Sequence, residues 1–177
     1  MLAACGAPVA ASSAADVVSD EPTLEPARVA ATWWPRLVDG LRGEWTATTA
    51  SGGTLTVRYR VVSRGSALVQ TWAPGTPGET ITVVHPDGEA ISLTHYCGQG
   101  NQARLVAVEA SADRIVFRRY AVTNATDEQS VLSELALDLA ADGASYAHVE
   151  TYTDAHGESE TTRLEFHRAA SAHEDGS

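Results

Sequence analysis

The sequence has few basic residues, and this shortage excludes several classes of partner. Lysine is absent, so all 12 basic residues are arginine; they stand against 23 acidic residues and leave a formal net charge of -11. An acidic surface repels phosphate backbones and anionic headgroups, and no basic stripe interrupts it along the chain. We therefore expect no nucleic-acid binding and no charge-driven binding to a lipid surface.

Cysteine is also scarce, since only Cys5 and Cys97 occur. Two cysteines do not make a disulfide framework, and pairing them would tether the N-terminal segment for little gain. We interpret both as unpaired. A chain of 177 residues with 44% hydrophobic content can bury a core of ordinary size without metals or disulfides.

The N-terminal residues MLAACG are similar to a bacterial lipobox, in which small residues precede a cysteine that is acylated after signal-peptide cleavage. The basic start and apolar stretch that normally precede a lipobox are missing. Gly6 to Pro26 has the Ala, Ser, Pro and acidic composition of a solvated tether. Two interpretations stay open: an envelope lipoprotein anchored through Cys5, whose start lies further upstream, or a cytoplasmic protein with a plain disordered tail.

The rest of the chain predicts one domain. We assign residues 1–26 to a signal remnant or disordered tether, 27–169 to the folded domain and 170–177 to a disordered tail. A short helix is expected after Pro26, with Pro35 breaking or kinking it into one or two turns that cover the end of the domain. Its apolar positions are spaced for one face: Val29, Trp33, Leu37 and Leu41.

From Gly43 onward the sequence alternates with period two and is punctuated by turn residues, which predicts ten β-strands. They cover residues 44–49, 54–63, 67–73, 79–85, 90–97, 103–110, 114–121, 131–140, 145–152 and 160–168. Tight hairpins without a crossover helix predict an antiparallel meander, and closing it would hide its edges. The predicted fold is an all-β, antiparallel up-and-down barrel with a short N-terminal helix.

Alternation also predicts which side chains face the interior. Three strands give clear inward sets: Leu55, Val57, Tyr59 and Val61; Leu135, Leu137 and Leu139; and Leu164 with Phe166. The strand from Tyr146 to Tyr152 is ambiguous, because one face carries Tyr146, His148, Glu150 and Tyr152 and the other carries Ala147, Val149 and Thr151. If the first set points inward, the interior is polar and partly wet, and Glu150 needs a partner, for which Arg104 or Arg119 is available.

The stretch EAISLTHYCGQGN, from Glu89 to Asn101, indicates a site. On a strand, Ile91, Leu93, His95 and Cys97 share one face, which changes from apolar to reactive just before a glycine-rich turn. The sequence therefore predicts a pocket at this strand end. The candidate ligand contacts are His95, Cys97, Tyr59, Glu150, His148, Asn101 and Gln102.

Several motifs resemble known barrels. Gly43-Glu44-Trp45 is similar to the Gly-x-Trp opening of calycins, the lipocalins and fatty-acid-binding proteins. Leu93 to Cys97 with Gly100 to Gln102 resembles the Leu-Thr-His-Tyr-Cys and Gly-Asn-Gln signature of an uncharacterised bacterial lipocalin-like family, distantly similar to nitrobindins. The resemblance runs from about Leu37 to Arg168. It implies a calycin-type barrel and, through the nitrobindins, a haem at His95, but no settled activity.

Other chemistries for the same residues remain open. His95 and Cys97 could ligate zinc, with His148 and Glu150 completing the set, or form a thiolate nucleophile with its base. The ordinary alternative is a hydrogen-bonded pocket histidine beside an inert thiol. Asn101 and Gln102 either close the pocket mouth with their amide groups or only form hydrogen bonds with the local backbone of a turn.

We expect Trp45 and Arg168 to be structural, meeting where the barrel closes as a cation over an indole face. The favoured function is the binding of a small, mostly apolar ligand inside the barrel, without a cofactor. The alternatives are a haem- or metal-dependent enzyme that uses the same cavity at His95 and a purely structural module whose barrel is packed solid.

Overall fold

A computed structural model describes residues 24–169. It shows a closed barrel of ten antiparallel strands preceded by one helix, which confirms the predicted fold class. The tether up to residue 23, including the lipobox and Cys5, and the tail from residue 170 lie outside the described residues. The elements are α1 (Ala30–Leu41), β1 (Gly43–Thr48), β2 (Thr54–Val62), β3 (Ala67–Trp72), β4 (Thr80–Asp87), β5 (Ala90–Tyr96), β6 (Gln102–Ala110), β7 (Arg114–Thr123), β8 (Val131–Leu139), β9 (Ser145–Thr153) and β10 (Ser159–Arg168), with a single 3-10 turn at Ser63–Gly65.

Each strand pairs with its sequence neighbours, and β1 closes the ring by pairing with β10. This closure is short, since it consists of the pairs Trp45 with Arg168 and Thr46 with His167. Closure leaves the sheet without a free edge strand, which is the reason that a meander of this length forms a barrel.

Helix α1 covers one end of the barrel. Its buried face consists of Ala30, Trp33, Leu37 and Leu41. The Trp33 indole donates to the carbonyl of Ser111 in the β6–β7 turn at 3.2 Å, and the backbone amide of Ala30 donates to the carbonyl of Glu89 at 2.9 Å. We call this the closed end of the barrel.

The prediction that Pro35 breaks or kinks the helix into one or two turns is wrong about its length, because α1 is assigned as one helix of 12 residues with Pro35 inside it. Proline removes one helical N–H, which would have bonded the carbonyl of Ala31. Both Pro35 and Ala31 are exposed, so water can satisfy that carbonyl. The buried apolar face holds the helix together against this local cost.

Arg168 joins the end of α1 to the barrel. Its guanidinium donates to the carbonyls of Gly40 at 3.0 Å, Arg42 at 3.1 Å and Gly143 at 2.8 Å, and it lies 4.4 Å from the ring centroid of Trp45. The structure thus places Trp45 and Arg168 together at the closed end, where they link the C-terminal end of α1 to the pairing of β1 with β10.

The inward sets follow the alternation in the sequence. The inward residues Val57, Tyr59, Leu135 and Phe166 are buried. On β2, Arg58 and Arg60 alternate with the inward residues and are exposed. On β9 the ambiguous face is now defined: Tyr146 is 1% exposed and lies opposite the inward Phe166 in the sheet register. The polar side chains of β9 on that face therefore point into the barrel.

Among the described residues, no helix combines the length and apolarity needed to cross a membrane.

Candidate functional site

The barrel interior differs between its two ends. Toward the closed end only a hollow of about 10 Å³ remains, enclosed by α1 and by strands on all sides. A hollow of that size holds one water molecule at most. At the opposite end, where β5 runs into its turn, a cavity of about 200 Å³ opens to solvent.

This second space, which we call the mouth cavity, is where the sequence predicted a pocket. Its lining consists of Gln70, Trp72, Gly78, Thr80, His95, Cys97, Glu150 and Tyr152. Three predicted contacts, His95, Cys97 and Glu150, are thus brought to one cavity. They reach it from β5, from the turn after β5 and from β9.

His95 is 5% exposed and fixed by two hydrogen bonds. Its Nδ1 lies 2.9 Å from the hydroxyl of Thr82 on β4, and its Nε2 lies 3.3 Å from the hydroxyl of Tyr152 on β9. Burial lowers the pKa of His95 below its ordinary value, and nearby Glu150 offsets this only in part. The imidazole is therefore neutral at neutral pH.

Glu150 is bound by its neighbour on the same face of β9, two residues earlier. His148 Nε2 lies 2.8 Å from Glu150 Oε1, which corrects the expectation that Arg104 or Arg119 would be the partner. Burial alone would raise the pKa of Glu150, but the charge and hydrogen bond of His148, and then the charge of His95, lower it below the ordinary value. The Glu150 carboxylate, which lines the mouth cavity, is thus ionised at neutral pH.

His148 lies behind Glu150 and does not line the mouth cavity. Its side chain is 2% exposed and packs against the indole of Trp72, with ring centroids 5.2 Å apart. Its Nδ1 has no hydrogen-bond partner within residues 24–169. This buried Nδ1 is therefore an unsatisfied polar atom next to the His148–Glu150 hydrogen bond.

Tyr59 was predicted to contact a ligand, but it lies deeper, at the closed end. It is 3% exposed and accepts a hydrogen bond from Gln70 Nε2 at 2.8 Å and one from the hydroxyl of Tyr146 at 3.3 Å. Burial raises the pKa of Tyr59 well above its ordinary value. Gln70 therefore links the mouth cavity to a neutral tyrosine pair further inside the barrel.

Asn101 and Gln102 do not line the mouth cavity. The amide of Asn101 donates to Gln129 Oε1 at 3.2 Å, and Gln129 donates to the carbonyl of Gln99 at 2.7 Å, so the β5–β6 and β7–β8 turns are joined at this end. Gln102 binds the outer residues Thr123 and Asn124 instead. Asn101 thus helps to shape one side of the opening, and Gln102 belongs to the wall.

The arrangement does not fit a metal or haem at His95. Both ring nitrogens already have hydrogen-bond partners, and within residues 24–169 no three His, Cys, Asp or Glu side chains are grouped to hold a metal ion. The cavity of about 200 Å³ also lies below the range of about 300–1,000 Å³ that is typical of ligand and cofactor pockets. The bonds of His95 to Thr82 and Tyr152 likewise leave Cys97 without a paired base.

Sequence reasoning missed Gln70, Trp72 and Thr80 as cavity residues. A signal for Gln70 was present, because an amide stands between Leu68 and Trp72 at an alternating, inward position of β3. Gln70 is 4% exposed, and a buried amide requires partners, which identifies a polar spot in the interior.

Comparisons with known proteins give the fold and no activity. No family model matches the chain, and no curated protein matches it significantly. A solved structure with a similar fold is the crystal structure of Rv2717c from M. tuberculosis, at 11% sequence identity, 77% coverage of this chain, 98% coverage of that chain and a TM-score of 0.50. The resemblance to a lipocalin-like family remains a prediction from the motifs.

Proposed function

We propose that this barrel binds a small, mostly apolar molecule in the mouth cavity. The observation that carries the proposal is the contrast within one barrel: the closed end is packed to a residual 10 Å³, while about 200 Å³ stays open where His95, Glu150 and Tyr152 converge. A barrel that served only as a structural module would have no need of that space.

The cavity volume limits the ligand. It exceeds the volume of about 150 Å³ that binds benzene and falls short of the range of about 300–1,000 Å³ of pockets for drug-sized molecules. A single substituted ring, or an aliphatic molecule of similar size, therefore fits. Trp72 and Tyr152 supply apolar surface, while His95 and Glu150 supply the polar contacts that orient the ligand.

The test reduces the cavity and leaves the fold intact. Thr80 lines the cavity at the start of β4, so Thr80→Phe places a ring in the space that the ligand would occupy. Thr161→Phe is the matched control, because Thr161 is exposed on β10 and pairs with Thr151 outside the cavity.

We expect single-ring compounds such as benzyl alcohol to bind the wild type and Thr161→Phe in ligand-observed NMR and to lose most binding to Thr80→Phe. Equal binding to all three proteins, or no binding to any of them, would contradict the proposal.

We also propose the envelope-lipoprotein form, on the support of the motif at Leu2 to Cys5 and the tether composition that follows it. Intact mass spectrometry of protein purified from its native host tests this. An acylated N-terminal cysteine at position 5 is the expected result, and an unmodified chain with Cys5 internal would contradict it.

A further inference from the structure

The mouth cavity is lined by one carboxylate and by no arginine. Among the described residues that line it, Glu150 supplies the only carboxylate, 20% of whose side chain is exposed. Burial lowers the pKa of His95 below its ordinary value, so this ring adds no positive charge to the lining at neutral pH. A ligand with a positive charge would therefore pair with a carboxylate that the lining itself leaves without a cation.

His148 occupies one side of the carboxylate. Its Nε2 lies 2.8 Å from Glu150 Oε1 and donates one hydrogen bond to it. The Glu150 side chain nevertheless stays 20% exposed and lines the mouth cavity, so it remains open to contact with a ligand.

The walls of the cavity are suited to a positive charge. Trp72 and Tyr152 both line it, and the face of an aromatic ring attracts an ammonium group within about 6 Å. The indole also packs against His148, which holds the ring beside the carboxylate. A carboxylate and aromatic rings in one cavity offer the two interactions that organic cations make best.

The approach to the cavity is acidic as well. A surface groove shares Tyr152 with the mouth cavity and contains four carboxylates: Glu128, Asp154, Glu158 and Glu160. Carboxylates lining a groove raise the local concentration of cations and speed their entry. The net charge of -11 for the whole chain acts in the same direction.

Resting on the proposed function, we propose that the ligand of the mouth cavity is a small organic ammonium ion, whose apolar body lies against Trp72 and Tyr152 and whose cationic nitrogen binds Glu150. A metal cation fits less well, because no group of three ligating side chains exists within residues 24–169.

Three probes of the same size separate charge from shape: benzylammonium, benzyl alcohol and benzoate, which differ in charge and share one ring. Binding is measured by isothermal titration at about pH 7, where the amine is protonated. The variant Glu150→Gln removes the charge and keeps the size. Glu165→Gln is the matched control, since Glu165 is exposed on β10 and faces away from the interior.

We expect the wild type and Glu165→Gln to bind benzylammonium at least about tenfold more tightly than benzyl alcohol and to leave benzoate unbound, because charge-assisted contacts are roughly twice as strong as neutral ones. Glu150→Gln should bind benzyl alcohol and benzylammonium equally. Retained binding of benzyl alcohol also shows that this variant is folded. If it does not fold, the three probes on the wild type decide alone.

The outcomes separate the two proposals. Equal binding of benzyl alcohol and benzylammonium to the wild type, or preference for benzoate, overturns the ammonium assignment while leaving the mouth cavity as a binding site. Absence of binding by all three probes overturns both.

Discussion

Removing Glu150 alone from the His148–Glu150 pair should destabilise the barrel more than removing both partners. His148→Phe leaves the Glu150 carboxylate without its donor at 2.8 Å. Glu150→Leu leaves His148 Nε2–H without an acceptor in a side chain that is 2% exposed. The double variant replaces the whole polar pair by apolar groups of similar size, and such replacements are often neutral.

The structure sets the magnitudes. A hydrogen bond to a charged group contributes about 1.5–3 kcal/mol, and water reaching the partly exposed Glu150 lowers the loss in His148→Phe toward the small end. The same substitution also removes the unpaired Nδ1, which reduces the destabilisation by about 1 kcal/mol. We therefore expect His148→Phe to cost about 1 kcal/mol, Glu150→Leu about 2–3 kcal/mol and the double variant less than Glu150→Leu alone.

The assay is urea unfolding of the wild type and the three variants, followed by circular dichroism at about pH 7, where the carboxylate is ionised. The expected coupling energy is about 2 kcal/mol. The exposed pair Arg163 and Glu165, joined at 2.8 Å, is the control, and its cycle should give below about 1 kcal/mol. Additive effects of His148→Phe and Glu150→Leu within about 0.5 kcal/mol would refute the reasoning.

Three further predictions concern the helix and the response to pH. Arg168→Leu removes three hydrogen bonds to backbone carbonyls and the contact with Trp45, so the melting temperature should fall by about 4–8 °C, and a fall below about 2 °C would contradict this. Pro35→Ala restores one helical hydrogen bond on an exposed face and should raise the free energy of unfolding by about 1 kcal/mol; a decrease would show that proline is required there. Because the pKa of His95 is lowered in the folded state, the unfolded chain takes up this proton first as the pH falls below about 6.5, so stability should decrease from about pH 7 to about pH 5. Glu150, whose folded pKa is also lowered, adds to the loss only below about pH 4.5. Urea midpoints of the wild type and His95→Gln measure this, and an unchanged pH slope in the variant would rule out His95 as its source.

The strands were predictable because period-two alternation and turn residues are local signals. None of the strand boundaries expected from the sequence differs from the structure by more than two residues. The closed barrel followed from the absence of crossover helices, since a long meander must pair its ends. The helix was predicted too short at Pro35 because the packing of Trp33, Leu37 and Leu41 is a tertiary effect that local propensity does not contain.

The location of the mouth cavity was predictable from the sequence, whereas the orientation and hydrogen-bond partners of its residues were not. Alternation placed His95 and Cys97 beside one cavity, whereas the face of β9 depended on a register that pairs Tyr146 with Phe166 and cannot be read from either strand alone. The partner of Glu150 is two residues away on the same face, whereas charge alone favours an arginine, whose guanidinium is always protonated. Tyr59 was correctly turned inward, but its depth in the barrel places it beyond the mouth cavity.

The four indole N–H resonances offer the most direct measurement of where a ligand binds. Trp72 lines the mouth cavity, whereas Trp33 and Trp45 lie at the closed end, hydrogen bonded to the carbonyls of Ser111 and Leu41. In a ¹⁵N-correlated titration with benzylammonium, the Trp72 indole should shift in a saturable way while those of Trp33 and Trp45 stay in place. Shifts at the closed-end indoles with Trp72 unmoved would contradict a ligand site at the barrel mouth.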